Sequence, residues 1–536
     1  MTPDPRARTA AVAVVLLHVV LAWIFWTSQE LPRGFRDEFF IVELSTDIAF
    51  GGDWRALFLG DYYPPLLRLP GVLALWLGGS YREMLAAQAL LWLPLLALGT
   101  WWAGRRLMGE WGATLALVIV LAAAGVLDAL HRFEPNLGAT AAGAGCLAAY
   151  LWSDGLRSRR HVLLFAASLG LGLMVDRLGT LPCVALPVAW AAWRGRADPA
   201  VRRNMLWMGG LLLLSVGWWY ALFVRDYASE WIPQLLSGEV DRTGEVLEER
   251  PPAALWLFHY IWIWLDSQVG LIGGLLCVAG LAWALFHRAD PPIRELLLWL
   301  GLGLLVFTLI PKRQPFYTLP LLPAVAVLAS MRLARREGMP LSSPRRAVAI
   351  VAAVLVTLPA LFTAQPGEGL EPGGAAWALQ NRSPMPESWV GERFPLGQRP
   401  DDRLIDVSQL AEALDEVGVS ASAGVAVLST DGQISESQLL SRLRMERRSA
   451  AVYGVTVHPE AVAEQGRSID VLIDLRADTS RWPDSAAVIG AYEQRFGWEG
   501  NDALLASMRA LGARMSPAGP PIAVGDSVLR VWVAQR

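Results

Sequence analysis

The chain has 536 residues, of which 54% are hydrophobic and only 18% are charged. A water-soluble globular chain of this length would be less apolar, so we expect an integral membrane protein. The net charge of −3 supplies no basic surface, and we therefore expect no nucleic-acid partner.

The first two thirds of the chain alternate between apolar runs and short polar turns. A membrane-spanning helix needs about 20 mostly apolar residues. The first run could be a secretory signal, but no small-residue cleavage site follows it, and we interpret it as an uncleaved span. We predict eleven spans at 10–27, 84–104, 111–130, 136–153, 161–175, 179–193, 204–224, 267–286, 295–311, 316–332 and 346–364.

The distribution of arginine predicts how these spans are oriented. Basic residues favour the cytoplasmic side, and Arg6 and Arg8 place the N-terminus there. Nearly every other basic turn is also cytoplasmic if the short apolar run 66–79 does not cross. We therefore predict that 66–79 lies along the outer interface, with the N-terminus inside and the C-terminus outside.

The C-terminal region differs from the rest in composition. Strand-like runs at 424–429, 450–457, 469–475 and 528–533 alternate with helical patterns near 407–417, 434–445 and 484–496. This alternation predicts a soluble α/β domain. We place a transmembrane domain at 1–364 and an extracytoplasmic α/β domain at 365–536, joined by the Pro/Gly-rich stretch 366–374.

Two acidic residues follow the first span on the predicted outer side. Asp37 and Glu38 lie beside aromatic residues, with Glu43 further on. A carboxylate that is partly desolvated at the membrane interface can act as a general base. The alternative is that these acids cap a helix, where they interact favourably with its dipole.

A second acid, Glu134, stands in the outer turn His131-Arg132-Phe133-Glu134-Pro135-Asn136. It precedes a proline at the start of a predicted span, so helix capping is again the alternative. Ionisable residues at membrane depth are often functional, however. The turn lies on the same predicted face as Asp37.

A basic pair occupies a third outer turn. Lys312 is the single lysine of the chain, and Arg313 follows it. Two adjacent cations suit a phosphate, with the lysine as a point charge and the arginine as a fork. The alternative is a pair of interfacial side chains that reach from a helix end to the membrane surface.

Weaker candidates lie in the long outer stretch 225–266. Arg242 belongs to a loop and could simply be solvated, and Tyr260 follows an apolar aromatic run and could simply pack at the interface. The sequence contains no Cys/His cluster for zinc, no phosphate-cradling glycine loop and no nucleophile elbow. These absences argue against an ATP-driven pump and against a serine hydrolase.

The order of these motifs over residues 10–335 resembles the membrane-embedded GT-C glycosyltransferases, in particular the bacterial protein O-mannosyltransferases and the lipid A aminoarabinose transferase. The matching elements are Asp37-Glu38-Phe39-Phe40, Tyr63-Pro64-Pro65-Leu66, Gly104-Arg105-Arg106, Glu134-Pro135, Lys312-Arg313 and Tyr317-Thr318-Leu319-Pro320. The chain departs from the family where Tyr63 stands in place of a lysine, and where the second acid is Glu rather than Asp.

The resemblance implies a polytopic α-helical GT-C fold that transfers a sugar from a polyprenyl-phosphate donor to a lipid or protein acceptor, with inversion, at the outer face of the bacterial inner membrane. Asp37 would be the base, and Glu38 and Glu134 would orient the acceptor or a divalent cation. Lys312 and Arg313, with Tyr317, would bind the donor phosphate. Tyr63, His131, Arg242 and Tyr260 are further substrate-binding candidates. No cofactor is firmly implied, and the metal requirement stays open.

Two other classes of protein fit an outer cluster of charges less well. Secondary transporters and flippases typically show internal repeats and interrupted spans near the midplane, whereas the charges of this chain gather at one predicted face. A non-catalytic membrane subunit whose outer domain binds a partner is the other alternative.

Overall fold

The computed structural model describes most of the apolar region and part of the C-terminal region. The described residues are 4–28, 36–52, 54–58, 63–176, 179–225, 260–261, 264, 268–309, 315–334, 351, 354, 423–429, 443–444, 452–454, 469–476, 515–518, 522–524 and 527–534. They form two compact units. The first contains 1–28, 55–70 and 85–399, and the second contains 29–54, 71–84 and 400–536.

The helices follow the apolar runs of the sequence. Their bounds are α1 Pro5–Ser28, α2 Arg36–Gly51, α3 Arg55–Phe58, α4 Pro65–Trp76, α5 Tyr81–Leu121, α6 Ala124–His131, α7 Asn136–Trp152, α8 Arg159–Leu173, α9 Thr180–Arg194, α10 Pro199–Leu212, α11 Gly270–Phe286, α12 Pro291–Leu309 and α13 Leu322–Met331. A π-helical segment, Leu213–Gly217, continues α10, and a 3₁₀ helix, Pro315–Leu321, precedes α13.

Four of the helices within the described residues are long and apolar enough to cross a membrane. They are Pro5–Ile24, Tyr81–Leu121, Pro199–Arg225 and Pro291–Leu309, with shorter apolar helices at Pro65–Trp76, Gly273–Phe286 and Phe316–Met331. The predicted span 346–364 lies outside the described residues apart from Val351 and Val354. The count of eleven spans therefore stays a prediction.

Gly109 divides α5 into two antiparallel helical arms. Its φ of 77° and ψ of −175° interrupt the helix, in a region that glycine adopts readily because it has no Cβ. A Cβ on Gly104 would lie 2.8 Å from Ala113 Cα, so the arms pack directly against each other. The basic turn predicted near 105–106 is thus a reversal of the chain.

The predicted span 111–130 is in fact interrupted. Its first part ends with α5 at Leu121, and its second part forms the short helix α6. The residue before α6, Ala123, is extended, with φ −65° and ψ 132°. Both parts are apolar and alanine-rich, so hydrophobicity alone gave no sign of the break.

The basic turns of the first unit meet at one end of its helices. Arg157 Nε lies 2.8 Å from Asp198 Oδ2, and Arg106 stacks over the Trp152 ring at 5.1 Å. Near the N-terminus, Arg8 Nη2 lies 3.0 Å from Glu110 Oε1. These turns share an end of the bundle, as the arginine distribution predicts. Their cytoplasmic placement stays a prediction.

The second unit contains a mixed six-stranded sheet. Its strands are β1 Gly424–Ser429, β2 Val452–Gly454, β3 Ile469–Arg476, β4 Met515–Pro517, β5 Ile522–Val524 and β6 Ser527–Ala534. The order is β2-β1-β3-β6-β4, with β5 also paired to β6. β1 is parallel to β2 and β3, whereas β6 is antiparallel to β3.

The four strands predicted in the C-terminal region are all present, and β4 and β5 are additional. Val425, Val427 and Ile473 have no exposed surface and form the core of the sheet. The predicted helices near 407–417, 434–445 and 484–496 lie outside the described residues, except for positions 443 and 444. The α/β domain therefore stays a proposal.

Candidate active site

The turn between α6 and α7 holds a buried carboxylate, Glu134. This side chain lies at the end of α7 opposite to the basic turns, and the residue is only 9% exposed. Asn136 Nδ2 donates a hydrogen bond of 2.7 Å to Glu134 Oε2. The carboxylate is therefore held in one orientation at the start of α7.

Arg132 connects Glu134 to a second acid, Asp128. Arg132 Nε lies 3.1 Å from Asp128 Oδ1, and its Nη1 lies 3.7 Å from Glu134 Oε1. All three residues are buried. The sequence analysis missed this acid, although the i,i+4 spacing of Asp128 and Arg132 was visible in the sequence.

His131 is a neutral side chain in this setting. Burial, together with the positive charge of Arg132, lowers the pKa of His131 to about 3. An uncharged imidazole can donate or accept a hydrogen bond, but it cannot neutralise a phosphate. A substrate-binding role for His131 therefore has to be one of hydrogen bonding.

Gln88 of α5 fixes the backbone of the same turn. Its Nε2 donates to the carbonyl oxygens of Arg132, at 3.1 Å, and of Glu134, at 3.2 Å. Gln88 is 2% exposed, and its Oε1 has no hydrogen-bond partner among the described residues. The backbone carbonyls of Arg132 and Glu134, the residues on either side of Phe133, are thus anchored to a neighbouring helix. Sequence reasoning could not find this residue, because the contact joins positions more than 40 residues apart.

The Tyr63-Pro64-Pro65-Leu66 element lies against the turn after α8. The backbone N–H of Leu66 donates to the Met174 carbonyl at 2.9 Å. The buried Arg68 donates from Nη2 to the carbonyls of Leu57, at 3.1 Å, and Tyr63, at 3.3 Å. Tyr63 is itself buried, at 8% exposure.

Val175, beside Met174, connects this region to the Glu134 turn. A Cβ on Gly138, in the first turn of α7, would lie 2.6 Å from Val175 Cγ1. Two elements that were singled out separately in the sequence, the proline pair and the Glu134 turn, therefore both adjoin the turn after α8.

The 3₁₀ helix that carries Tyr317 packs against α6 and α7. Thr318 is fully buried, and its Oγ1 accepts hydrogen bonds of 3.1 Å from Trp264 Nε1 and from Gln268 Nε2. Tyr317 and Tyr260 both contact Phe307, with ring centroids 6.2 Å and 5.7 Å apart. Tyr317 and Tyr260 thus belong to one aromatic cluster around Phe307.

Other candidates are described in part or not at all. Asp37 and Glu38 lie in the first turn of α2, but their side chains are outside the described residues. Lys312, Arg313 and Arg242 also lie outside the described residues. Their roles stay predictions.

The Glu134 turn already contains a buried cation, Arg132. Arg132 stands between the carboxylates of Asp128 and Glu134 and contacts both. Among the residues that the structure describes, no group of three or more acidic, histidine or cysteine side chains is arranged to hold a metal. The metal requirement of the site therefore stays open.

The fold, but not the sequence, is similar to known proteins. No protein-family model matches the sequence, and no curated protein is detectably similar to it. The crystal structure of ArnT from Cupriavidus metallidurans bound to undecaprenyl phosphate aligns over 97% of both chains, with a TM-score of 0.60 and 16% identity. ArnT in the apo state aligns over 97% of this chain and 98% of that chain, with a TM-score of 0.57 and 17% identity.

A second glycosyltransferase shares the architecture. The cryo-EM structure of the arabinofuranosyltransferase AftD from Mycobacteria covers 99% of this chain and 40% of that chain, with a TM-score of 0.54 and 16% identity. Identities this low show a common fold alone. The chain therefore has the GT-C fold, as its motifs predict, and it is a multi-pass membrane protein.

Proposed function

We propose that this protein is a glycosyltransferase that moves a sugar from a polyprenyl-phosphate-linked donor to a lipid or protein acceptor. The observation that carries the proposal is the alignment, over nearly the whole chain, with an ArnT structure that binds undecaprenyl phosphate. The buried, oriented carboxylate of Glu134 supports it, because the resemblance assigns an acid to this turn.

The proposed reaction takes place at the outer face of the bacterial inner membrane. A polyprenyl-linked donor carries its phosphate at the membrane interface, and an enzyme has to meet the donor at that depth. The N-terminus would be cytoplasmic, and the proposed α/β domain at 365–536 would be extracytoplasmic.

Asp37 is proposed as the general base. It would remove the proton of an acceptor hydroxyl as the oxygen attacks the anomeric carbon, while the bond from that carbon to the phosphate oxygen breaks. Attack opposite to the leaving group inverts the configuration. If the acceptor is a phosphate, no proton has to be removed, and Asp37 would only orient it.

Lys312 and Arg313 are proposed to stabilise the departing polyprenyl phosphate. Cations placed where charge develops stabilise the transition state more than the bound substrate. Glu134, which Asn136 and Arg132 orient, would bind acceptor or sugar hydroxyl groups. Tyr317 and Tyr260 would offer apolar surface and hydroxyls near the donor.

The proposal is tested by comparing bacterial envelopes with and without the protein. Mass spectrometry of extracted glycolipids and glycoproteins should show a species heavier by one sugar residue only when the protein is present. A strain that carries Asp37→Asn should match the deletion strain. If the deletion strain instead accumulates the same unmodified precursor on the cytoplasmic side of the membrane, the protein is a flippase and not a glycosyltransferase.

A further inference from the structure

An arginine of the C-terminal region, Arg444, is buried against the first outer helix α2. Both belong to the second compact unit, and Arg444 is 2% exposed. Its Nη1 lies 3.3 Å from Asp47 Oδ1 and 4.0 Å from Glu43 Oε1. The same nitrogen approaches the Glu43 carbonyl at 3.4 Å. One guanidinium therefore contacts two side chains and the backbone of α2.

The two acids need a cation between them. Glu43 and Asp47 are four residues apart, so they stand on one face of α2, where like charges destabilise a helix. Glu43 is 1% exposed, and a buried carboxylate is costly unless it is paired. Arg444 supplies that pairing from a position about 400 residues away along the chain.

The other side of Arg444 is tied to the sheet. Its Nε donates to the Val452 carbonyl of strand β2 at 3.0 Å. Val452 in turn pairs with Val425 of β1, in the core of the sheet. Arg444 thus connects α2 to a strand that pairs with the buried core strand β1. A lysine offers a single charged nitrogen and lacks the fork that makes these contacts together.

The helix that Arg444 holds also carries the proposed base. Asp37 lies six residues before Glu43 in α2, about 9 Å along the helix axis. We infer that Arg444 is a positioning residue, through which the C-terminal domain fixes α2 and so sets the position of Asp37. The inference rests on the proposed function for its catalytic consequence, whereas the anchoring of α2 does not depend on it.

The anchoring is tested without any assay of activity. Hydrogen exchange is measured in the detergent-solubilised full-length protein and in its Arg444→Met variant. We expect amide exchange in residues 41–51 to rise about tenfold or more, while β1 and β3 stay within about twofold. A Val531→Ala variant, which opens a core position of β6, serves as the matched control and should leave 41–51 unchanged. Unchanged exchange in 41–51 of Arg444→Met, or an equal rise throughout β1 and β3, would overturn the inference.

The catalytic consequence is tested by transfer kinetics. Arg444→Met should lower kcat about 10- to 100-fold, with the KM for donor within about twofold, because the base is displaced and donor binding is not. Arg444→Lys should recover part of the loss. In an Asp37→Asn background, Arg444→Met should cause less than a further twofold loss, since it acts through Asp37. If the kcat losses of Arg444→Met and Asp37→Asn multiply in the double variant, Arg444 does not act through Asp37 and the positioning role is refuted. Full activity of Asp37→Asn alone would instead refute the proposed base, and the exchange result would still decide the anchoring.

Discussion

Asn136 Nδ2 and Glu134 Oε2 are joined by a hydrogen bond of 2.7 Å at the start of α7. The amide holds one carboxylate oxygen, while Arg132 approaches the other at 3.7 Å. Glu134 is therefore oriented from both sides within a turn whose backbone Gln88 also anchors.

Replacement of Glu134 by glutamine should impair transfer without unfolding the protein. Glutamine keeps the size of the side chain and an oxygen that can accept from Asn136, and Asp128 still pairs with Arg132. A hydrogen bond to a charged group is worth about 1.5–3 kcal/mol, so we expect a rate loss of about 10- to 100-fold. Initial rates of the purified variant measure this, with thermal unfolding as the control for folding. Wild-type rates in Glu134→Gln would remove Glu134 from the site.

His131 should remain uncharged across the working pH range. Its pKa is lowered from 6.5 to about 3, so the folded state binds fewer protons than the unfolded chain between these values. Stability is therefore lost as the pH falls through this window, by about 2 kcal/mol at pH 5. The His131 ring resonance, assigned with a His131→Gln variant, should not titrate between pH 8 and pH 5. A midpoint near 6.5 would show a solvated imidazole.

Removal of the outer basic pair should abolish donor use. Lys312→Met with Arg313→Gln eliminates both charges, and we expect a loss of transfer of about two orders of magnitude or more. Lys312→Arg should be milder, because the charge remains although the geometry changes. The measurement is initial rate against donor concentration.

The pair Arg202 and Arg203 provides a matched control for that experiment. These residues are adjacent, exposed and located at the start of α10, on the predicted cytoplasmic side. Their joint replacement by glutamine should leave the rate and donor KM unchanged. If the Lys312/Arg313 double variant keeps the wild-type rate and donor KM, as the control should, then Lys312 and Arg313 are interfacial anchors and the phosphate is bound elsewhere.

The predicted topology is open to cysteine labelling. In a background without Cys146, Cys183 and Cys277, we expect cysteines at Leu77 and Ser420 to react with a membrane-impermeant thiol reagent in intact cells. Leu77 is 78% exposed, so the rest of the protein should not block the reagent from a cysteine at this position. A cysteine at Arg203 should react only after the cells are opened. The reverse pattern would invert the predicted orientation of the spans that follow 66–79.

The sequence predicted those helices and strands that form because of the residues within their own segment. The four predicted strands and the spans that became α7 and α9 follow from runs of apolar or β-branched residues, and they appear near their predicted bounds. The break between α5 and α6 was not predictable, because alanine-rich sequence on both sides favours helix equally. Its cause lies in packing rather than in propensity.

The side chains that hold the candidate site residues in place make contacts between positions that are far apart in the sequence. Gln88 and Arg444 reach partners more than 40 and about 400 residues away, and neither stands in a recognisable motif. Pairing of this kind is decided by the fold. The Asp128–Arg132 pair is different, since its spacing was visible and only its burial was not.

The most direct test of the proposed function follows the fate of the donor. The purified protein, reconstituted in liposomes, is supplied with a polyprenyl-phosphate-linked sugar and with the acceptor identified from envelope mass spectrometry. We predict release of free polyprenyl phosphate in equal amount to glycosylated acceptor, at a rate that Asp37→Asn lowers about 10²- to 10⁴-fold. A wild-type protein that releases no polyprenyl phosphate while the acceptor and donor are both bound would contradict the assignment as a glycosyltransferase.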